Sequence, residues 1–207
     1  MKNNLTEIVF ILDRSGSMGH LVTDTIGGFN AFVEDQKKED GEAVLTTILF
    51  DDQYEILHNG VDVKTVSPLT TKEYSARGMT ALLDAIGKTI NTVGERLNKM
   101  KEDNKPSKVI FVITTDGQEN SSREFTQPQI KEMIEKQINT YNWQFMFLGA
   151  NIDAVSTAQN FGISGQFASN WTASSVGTDS LYRNLSKSVT DYRNSGVIES
   201  DWSDDIK

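Results

Sequence analysis

Apolar runs of strand length alternate with amphipathic stretches of helical period along the whole chain, and this alternation restricts the fold more than any other feature. Residues 5–12, 43–50, 108–115 and 143–149 read as buried strands rich in branched and aromatic side chains. Asp51-Asp52-Gln53 forms a short turn into a strand at 53–58, which should therefore pair antiparallel at a sheet edge. A short final strand is expected at Gly165–Ser169. Helical spacing marks 21–37, with Leu21, Ile26, Phe29, Phe32 and Val33 on one face. It also marks a helix opened by Thr80 and running to about residue 100, one at about 128–139 capped by Thr126 or Gln127, one at Asp153–Phe161, and one at about 177–194. The pattern predicts an α/β fold: a doubly wound, mostly parallel six-stranded sheet of order 3-2-1-4-5-6, with strand 3 antiparallel at the edge and helices on both faces. No repeat or linker divides it, so residues 1–207 read as a single domain with an acidic tail at 197–207, of which Glu199 to Lys207 is expected to fray.

Chemistry concentrates where the first strand ends. Asp13-Arg14-Ser15-Gly16-Ser17-Met18 follows the apolar run Ile8–Leu12 directly, so a buried strand delivers one carboxylate and two hydroxyls to a turn. Oxygen-only donors suit hard cations such as Mg²⁺, Mn²⁺ or Ca²⁺. In a sheet of the predicted order, ligands bind beyond the strand ends where the order reverses, between the first and fourth strands. The fourth strand ends at Thr115-Asp116-Gly117, and Gly78-Met79-Thr80 precedes the helix before it. The topology thus gathers Asp13, Ser15, Ser17, Thr80 and Asp116 at one crevice. Taken alone, Asp-x-Ser-x-Ser is as good a helix-capping turn as a ligand loop. The preceding strand and the two later segments tip the reading toward metal.

Together the three segments resemble the metal-ion-dependent adhesion site of the von Willebrand factor type A domain, the family that includes integrin inserted domains. The resemblance covers residues 5 to about 195. It implies that Ser15, Ser17 and Thr80 or Asp116 coordinate a divalent cation directly, with Asp13 acting directly or through water. The cation is expected to be Mg²⁺, with Mn²⁺ or Ca²⁺ as alternatives. An open coordination position then takes an Asp or Glu carboxylate from a protein partner, which makes the chain a metal-dependent interaction module rather than an enzyme. The lack of an apolar leader after Met1 and the short loops imply a stand-alone, cytoplasmic, bacterial or phage-type member, monomeric, in place of an extracellular adhesin. The competing reading is a metal-assisted hydrolase of phosphate esters, although Asp13-Arg14-Ser15 lacks the second aspartate of Asp-x-Asp phosphatases. A site that has lost its metal and serves only as scaffold is the third.

Composition removes other classes. The chain has no cysteine, which excludes disulfides, thiol catalysis and zinc–thiolate sites. A net charge of −9 with scattered basic residues disfavours nucleic acid and anionic membranes as partners. Gly87-Lys88-Thr89 lacks the earlier glycine of a phosphate loop, since Leu82 stands there, and lies inside a helix. His20, Arg77 and Met18 are expected to flank the site, and Glu119 and Asn120 read equally as rim residues or polar loop. Asp51 and Asp52 read as hairpin-turn residues in preference to accessory ligands, His58 as structural or solvated, and Trp143, Trp171 and Tyr192 as packing residues.

Overall fold

The computed structural model describes residues 2–206, with side chains from Asn4 onward. Its strands are β1 (Lys2–Asp13), β2 (Glu42–Phe50), β3 (Tyr54–Asp62), β4 (Pro106–Thr115), β5 (Gln144–Gly149) and β6 (Ala168–Asn170). The helices are α1 (Val22–Lys38), α2 (Leu82–Lys99), α3 (Gln127–Tyr141), α4 (Ala154–Asn160) and α5 (Ser175–Ser195). The sheet runs β3-β2-β1-β4-β5-β6, and only the β2–β3 pairing is antiparallel. The predicted order and direction therefore hold.

β1 and β4 are buried on both faces because helices cover each side, and this is why their sequences are continuous apolar runs rather than alternating ones. Phe10 points to the α1/α5 side, where it meets Phe29 and Phe32 edge-on at 5.5 and 5.2 Å between centroids. Phe111 points the other way, against Trp143 and Phe145. Each such aromatic pair adds roughly 0.5–1.5 kcal/mol beyond the area it buries. α1 and α5 lie close enough that a Cβ on Gly28 would stand 2.2 Å from the ring of Tyr182. Among the described residues, no helix is long and apolar enough to cross a membrane.

Three expectations need correction. Thr80 does not open α2. It lies in the preceding loop, and the helix begins at Leu82 with Ala81 as its N-cap. The last strand is only Ala168–Asn170, because Gly165–Phe167 winds into a 3₁₀ turn. The tail does not fray. Ile198 and Trp202 are 8% and 4% exposed within the α1/α5 core, and the Trp202 indole N–H donates to Gln166 O at 2.8 Å. Two anchors thus hold a segment whose remaining residues are mostly acidic and polar. Trp202→Ala should lower unfolding free energy by about 3 kcal/mol in urea titration, as large-to-small core substitutions do. A change under about 0.5 kcal/mol would show the tail is not part of the core.

Candidate metal centre

The β1–β4 register sets the site. Leu12 pairs with Thr114, so the next residue along each strand brings Asp13 beside Thr115. Thr115 Oγ1 donates to Asp13 Oδ2 at 2.6 Å, and the Ser15 N–H donates to Asp13 Oδ1 at 2.7 Å. Ser17 Oγ then donates to Asp116 Oδ1 at 2.6 Å and lies 3.1 Å from Ser15 Oγ. A Cβ on Gly117 would stand 3.6 Å from Ser17 Oγ and 3.7 Å from Thr80 Oγ1, which places the Thr80 hydroxyl beside the same cluster. All five residues singled out in the sequence therefore converge. Asp13, Ser15, Thr80 and Asp116 are each at most 3% exposed.

The backbone that carries these groups is tied from three sides. The Arg14 N–H donates to Phe50 O at 2.8 Å, the Arg77 N–H to Arg14 O at 2.8 Å, and the Gly16 N–H to Gly78 O at 3.2 Å. Gly78 has φ +68°, and a Cβ there would meet Asp52 Oδ1 at 2.1 Å, so only glycine fits that turn. Thr80 is gripped at both ends by Asn120: its N–H donates to Asn120 Oδ1 at 2.9 Å, and its carbonyl accepts from Asn120 N at 3.0 Å. Glu119 accepts from Leu83 N in the first turn of α2 and from Ser121 and Ser122. Asn120, itself exposed, and half-buried Glu119 thus hold Thr80 and the start of α2 in place from the edge of the cluster.

Arg14 turns away from the cluster. It is 2% exposed, donates to Asp51 Oδ2 at 3.2 Å and reaches Glu55 at 2.8 Å. Arg77 donates to the same Asp51 oxygen at 2.7 Å. Asp51 is thus a buried counter-ion that pins two loops of the site, not a simple turn residue. Met18 is 3% exposed and belongs to the core, whereas Met79 stands out beside Thr80 at 52% exposure. Tyr74, from a segment with no periodicity to mark it, donates from its hydroxyl to Asp13 O at 2.6 Å.

Burial dominates the electrostatics. It pushes the Asp13 carboxyl up to about 6, against hydrogen bonds from Thr115 and Ser15 and with a small addition from the charge of Asp116. Burial also raises Asp116, opposed by its bond from Ser17. Asp116 Oδ2 is buried and accepts no hydrogen bond from any described residue. Two desolvated carboxylates, three hydroxyls and an orphaned carboxylate oxygen form a donor set that fits a hard divalent cation. Among the described residues, no group of three or more His, Cys, Asp or Glu forms an alternative cluster.

No family model and no curated protein matches the sequence. Solved structures do match. Proximal thread matrix protein 1 from the mussel byssus, with a zinc-occupied MIDAS motif, superposes at TM-score 0.63 and 16% identity, covering 91% of this chain and 46% of its own. Manganese-loaded TRAP from Plasmodium vivax gives 0.61 and 19%, over 84% and 70%. A von Willebrand factor type A protein from Catenulispora acidiphila gives 0.60 and 13%, over 91% and 43%. The chain has the von Willebrand factor type A fold. It spans less than half the length of the mussel and Catenulispora chains.

The raised Asp13 carboxyl has a signed consequence. Without metal, Asp13 favours its protonated form in the folded state, so its contribution to stability is present at low pH and is lost as pH rises through about 6. Cation uptake must displace that proton. Calorimetric Mg²⁺ affinity should therefore fall by about tenfold between pH 7.5 and 5.0, while the Asp13 contribution to metal-free stability rises. An affinity that does not change with pH over this range would contradict the assignment of Asp13.

Proposed function

We propose that this domain is a metal-dependent binding module. Asp13, Ser15, Ser17, Thr80 and Asp116 hold one divalent cation, Mg²⁺ in the first instance, and the module captures an Asp or Glu side chain of a protein partner. The observation that carries this reading is Asp116 Oδ2: a desolvated carboxylate oxygen without a partner, beside a hydroxyl pair 3.1 Å apart. The occupied MIDAS of the mussel protein and the manganese in TRAP support a divalent cation in general.

The chain's own residues divide the work. Ser15, Ser17 and Thr80 offer neutral oxygens, so ligand charge comes only from Asp13 and Asp116. A cation held by so little negative charge stays a strong Lewis acid toward an external carboxylate. Thr115 and the Ser15 N–H fix both oxygens of Asp13 before any ligand arrives. Asn120 fixes Thr80, and Asp51 fixes the loops on either side through Arg14 and Arg77. Such preorganisation limits the ordering cost of binding.

The hydrolase reading finds less support. The chain has two histidines. His20 stands with Nδ1 3.0 Å from Ser17 O and Nε2 3.3 Å from Ala173 O, so both ring nitrogens face backbone carbonyls. His58 sits on the β3 edge, 3.0 Å from Thr47 Oγ1. His20 thus has both ring nitrogens engaged by backbone, and His58 lies on the far edge strand, so neither stands where a general base would be needed.

The test combines calorimetry with capture from the native host. The wild type should take up Mg²⁺ and retain a partner in Mg²⁺ but not in chelator, and Asp13→Ala should lose both. Equal ion uptake by wild type and Asp13→Ala would remove the site. Metal-dependent turnover of a generic phosphate ester, abolished by Asp13→Ala, would install the hydrolase in its place.

A further inference from the structure

On the α1/α5 side of the sheet, directly beneath the metal loops, three buried threonine hydroxyls make no hydrogen bond of good geometry. They are Thr25 Oγ1, Thr114 Oγ1 and Thr178 Oγ1, on residues 1%, 3% and 1% exposed. Valine has the same shape and would fill each position without an unpaired hydroxyl. Buried polar groups are almost always satisfied, by protein or by ordered water.

The three come from separate elements yet face one region. Thr25 lies on α1 one turn before Gly28, which packs against the Tyr182 ring, and Thr178 lies on α5 one turn before Tyr182. Just above that contact, Ser175 Oγ donates to Asp24 Oδ2 at 2.7 Å. Thr25 and Thr178 are thus bracketed between two α1–α5 contacts. Thr114 is the penultimate residue of β4, opposite Leu12, two residues along from Val112 on the α1/α5 face and two before Asp116. Tyr74 links these groups to the site: its hydroxyl bonds Asp13 O, is close enough to Thr25 for a loose hydrogen bond that leaves the Thr25 hydroxyl short of good geometry, and lies within electrostatic reach of Tyr182, Asp13 and Asp116. The orphaned Asp116 Oδ2 belongs to the same neighbourhood.

We infer that this region is an internal hydration site, in which ordered water bridges the hydroxyls of Thr25, Thr114 and Thr178 to the carboxylate of Asp116. Folded proteins hold about one buried water per 27 residues, each making about three hydrogen bonds to groups of this kind. A carboxylate oxygen has two lone pairs, so Asp116 Oδ2 can accept from water and still face a cation. Thr25 and Thr178 are then positioning residues. They orient a metal ligand through water, and they connect it to the first turn of α5 without touching the metal. This last step rests on the metal-binding reading above; the hydration site itself does not.

Valine substitutions distinguish the alternatives by sign. Removing a dry, unpaired hydroxyl is neutral or stabilising, whereas removing one that holds water leaves its partners unsatisfied. Thr178→Val and Thr25→Val should each lower the metal-free melting temperature and weaken Mg²⁺ affinity three- to tenfold by calorimetry. Thr178→Ser should recover most of the affinity. A high-resolution crystal structure of the wild type should show ordered water within hydrogen-bond distance of all three threonines, lost in part in the valine variants. Raised melting temperatures with unchanged Mg²⁺ affinity, or no water density at the three hydroxyls, would overturn the inference. Water density and lowered melting temperatures in a wild type that takes up no Mg²⁺ would uphold the hydration site and remove the metal reading instead.

Discussion

Parallel pairing of β1 with β4 in the register Leu12–Thr114 is the constraint on which the site depends. It brings two strand ends, far apart in sequence, side by side where the sheet reverses direction of progression. Both strands are sealed by helices on each face, so the carboxylates at their ends sit in a medium that penalises charge. The raised Asp13 and Asp116 are the electrostatic signature of that placement. A one-residue slip of either strand would turn every core side chain to the opposite face and separate Asp13 from Thr115. Core packing and ligand geometry are therefore enforced by the same register.

The molecule handles its other buried charges differently. Glu7, in the middle of β1 and fully buried, pairs with Arg96 of α2 and accepts from Thr46. Arg14 and Asp51 pair beneath the site loops. Buried pairs of this kind add little net stability, because desolvation offsets much of the attraction, but breaking one leaves an uncompensated charge. Their effect is to specify geometry: Asp51 binds Arg14 from the β1 loop and Arg77 from the segment before Thr80, so the two loops that carry Ser15 and Thr80 are tied to one side chain. Among the described residues, by contrast, no cationic side chain is bonded to Asp13 or Asp116. That difference sets the charges that build the fold apart from the two carboxylates of the proposed metal site.

Much of this was legible in the sequence because it follows from periodicity and topology. Long apolar runs mark buried parallel strands, the Asp51-Asp52-Gln53 turn marks the antiparallel edge, and the strand order makes Asp13 and Asp116 neighbours. What was not legible depends on single side chains acting across long separations. Nothing local distinguishes Tyr74 in an aperiodic loop, or shows that Arg14, placed between two ligands, would point away to Asp51. Trp202 was hidden by its acidic surroundings, since composition describes the average of a segment while one indole decides whether it is anchored. Met18, expected to flank the site, lies in the core instead, because the 3₁₀ turn Gly16–Leu21 swings it inward.

α5 shows how the second half of the chain serves the first. Its C-terminal half is bolted to α1: Arg193 donates to Gln36 O and Oε1, and Gln36 in turn donates to Ser186 O and Thr190 Oγ1. Lys108 at the start of β4 bonds Arg193 O, and the tail beyond Gly196 packs back through Trp202. The first turn is held more lightly, by Ser175 on Asp24 and by His20 reaching Ala173 O. The helix is thus fixed at the end far from the site, and at the near end it presents threonine and serine rather than apolar side chains. An interface that needed only cohesion would be apolar throughout. Polar contacts thus occur at both ends of the helix, but those of the far end are many and buried, whereas the near end reaches the turn that carries Ser17 through the single ring of His20.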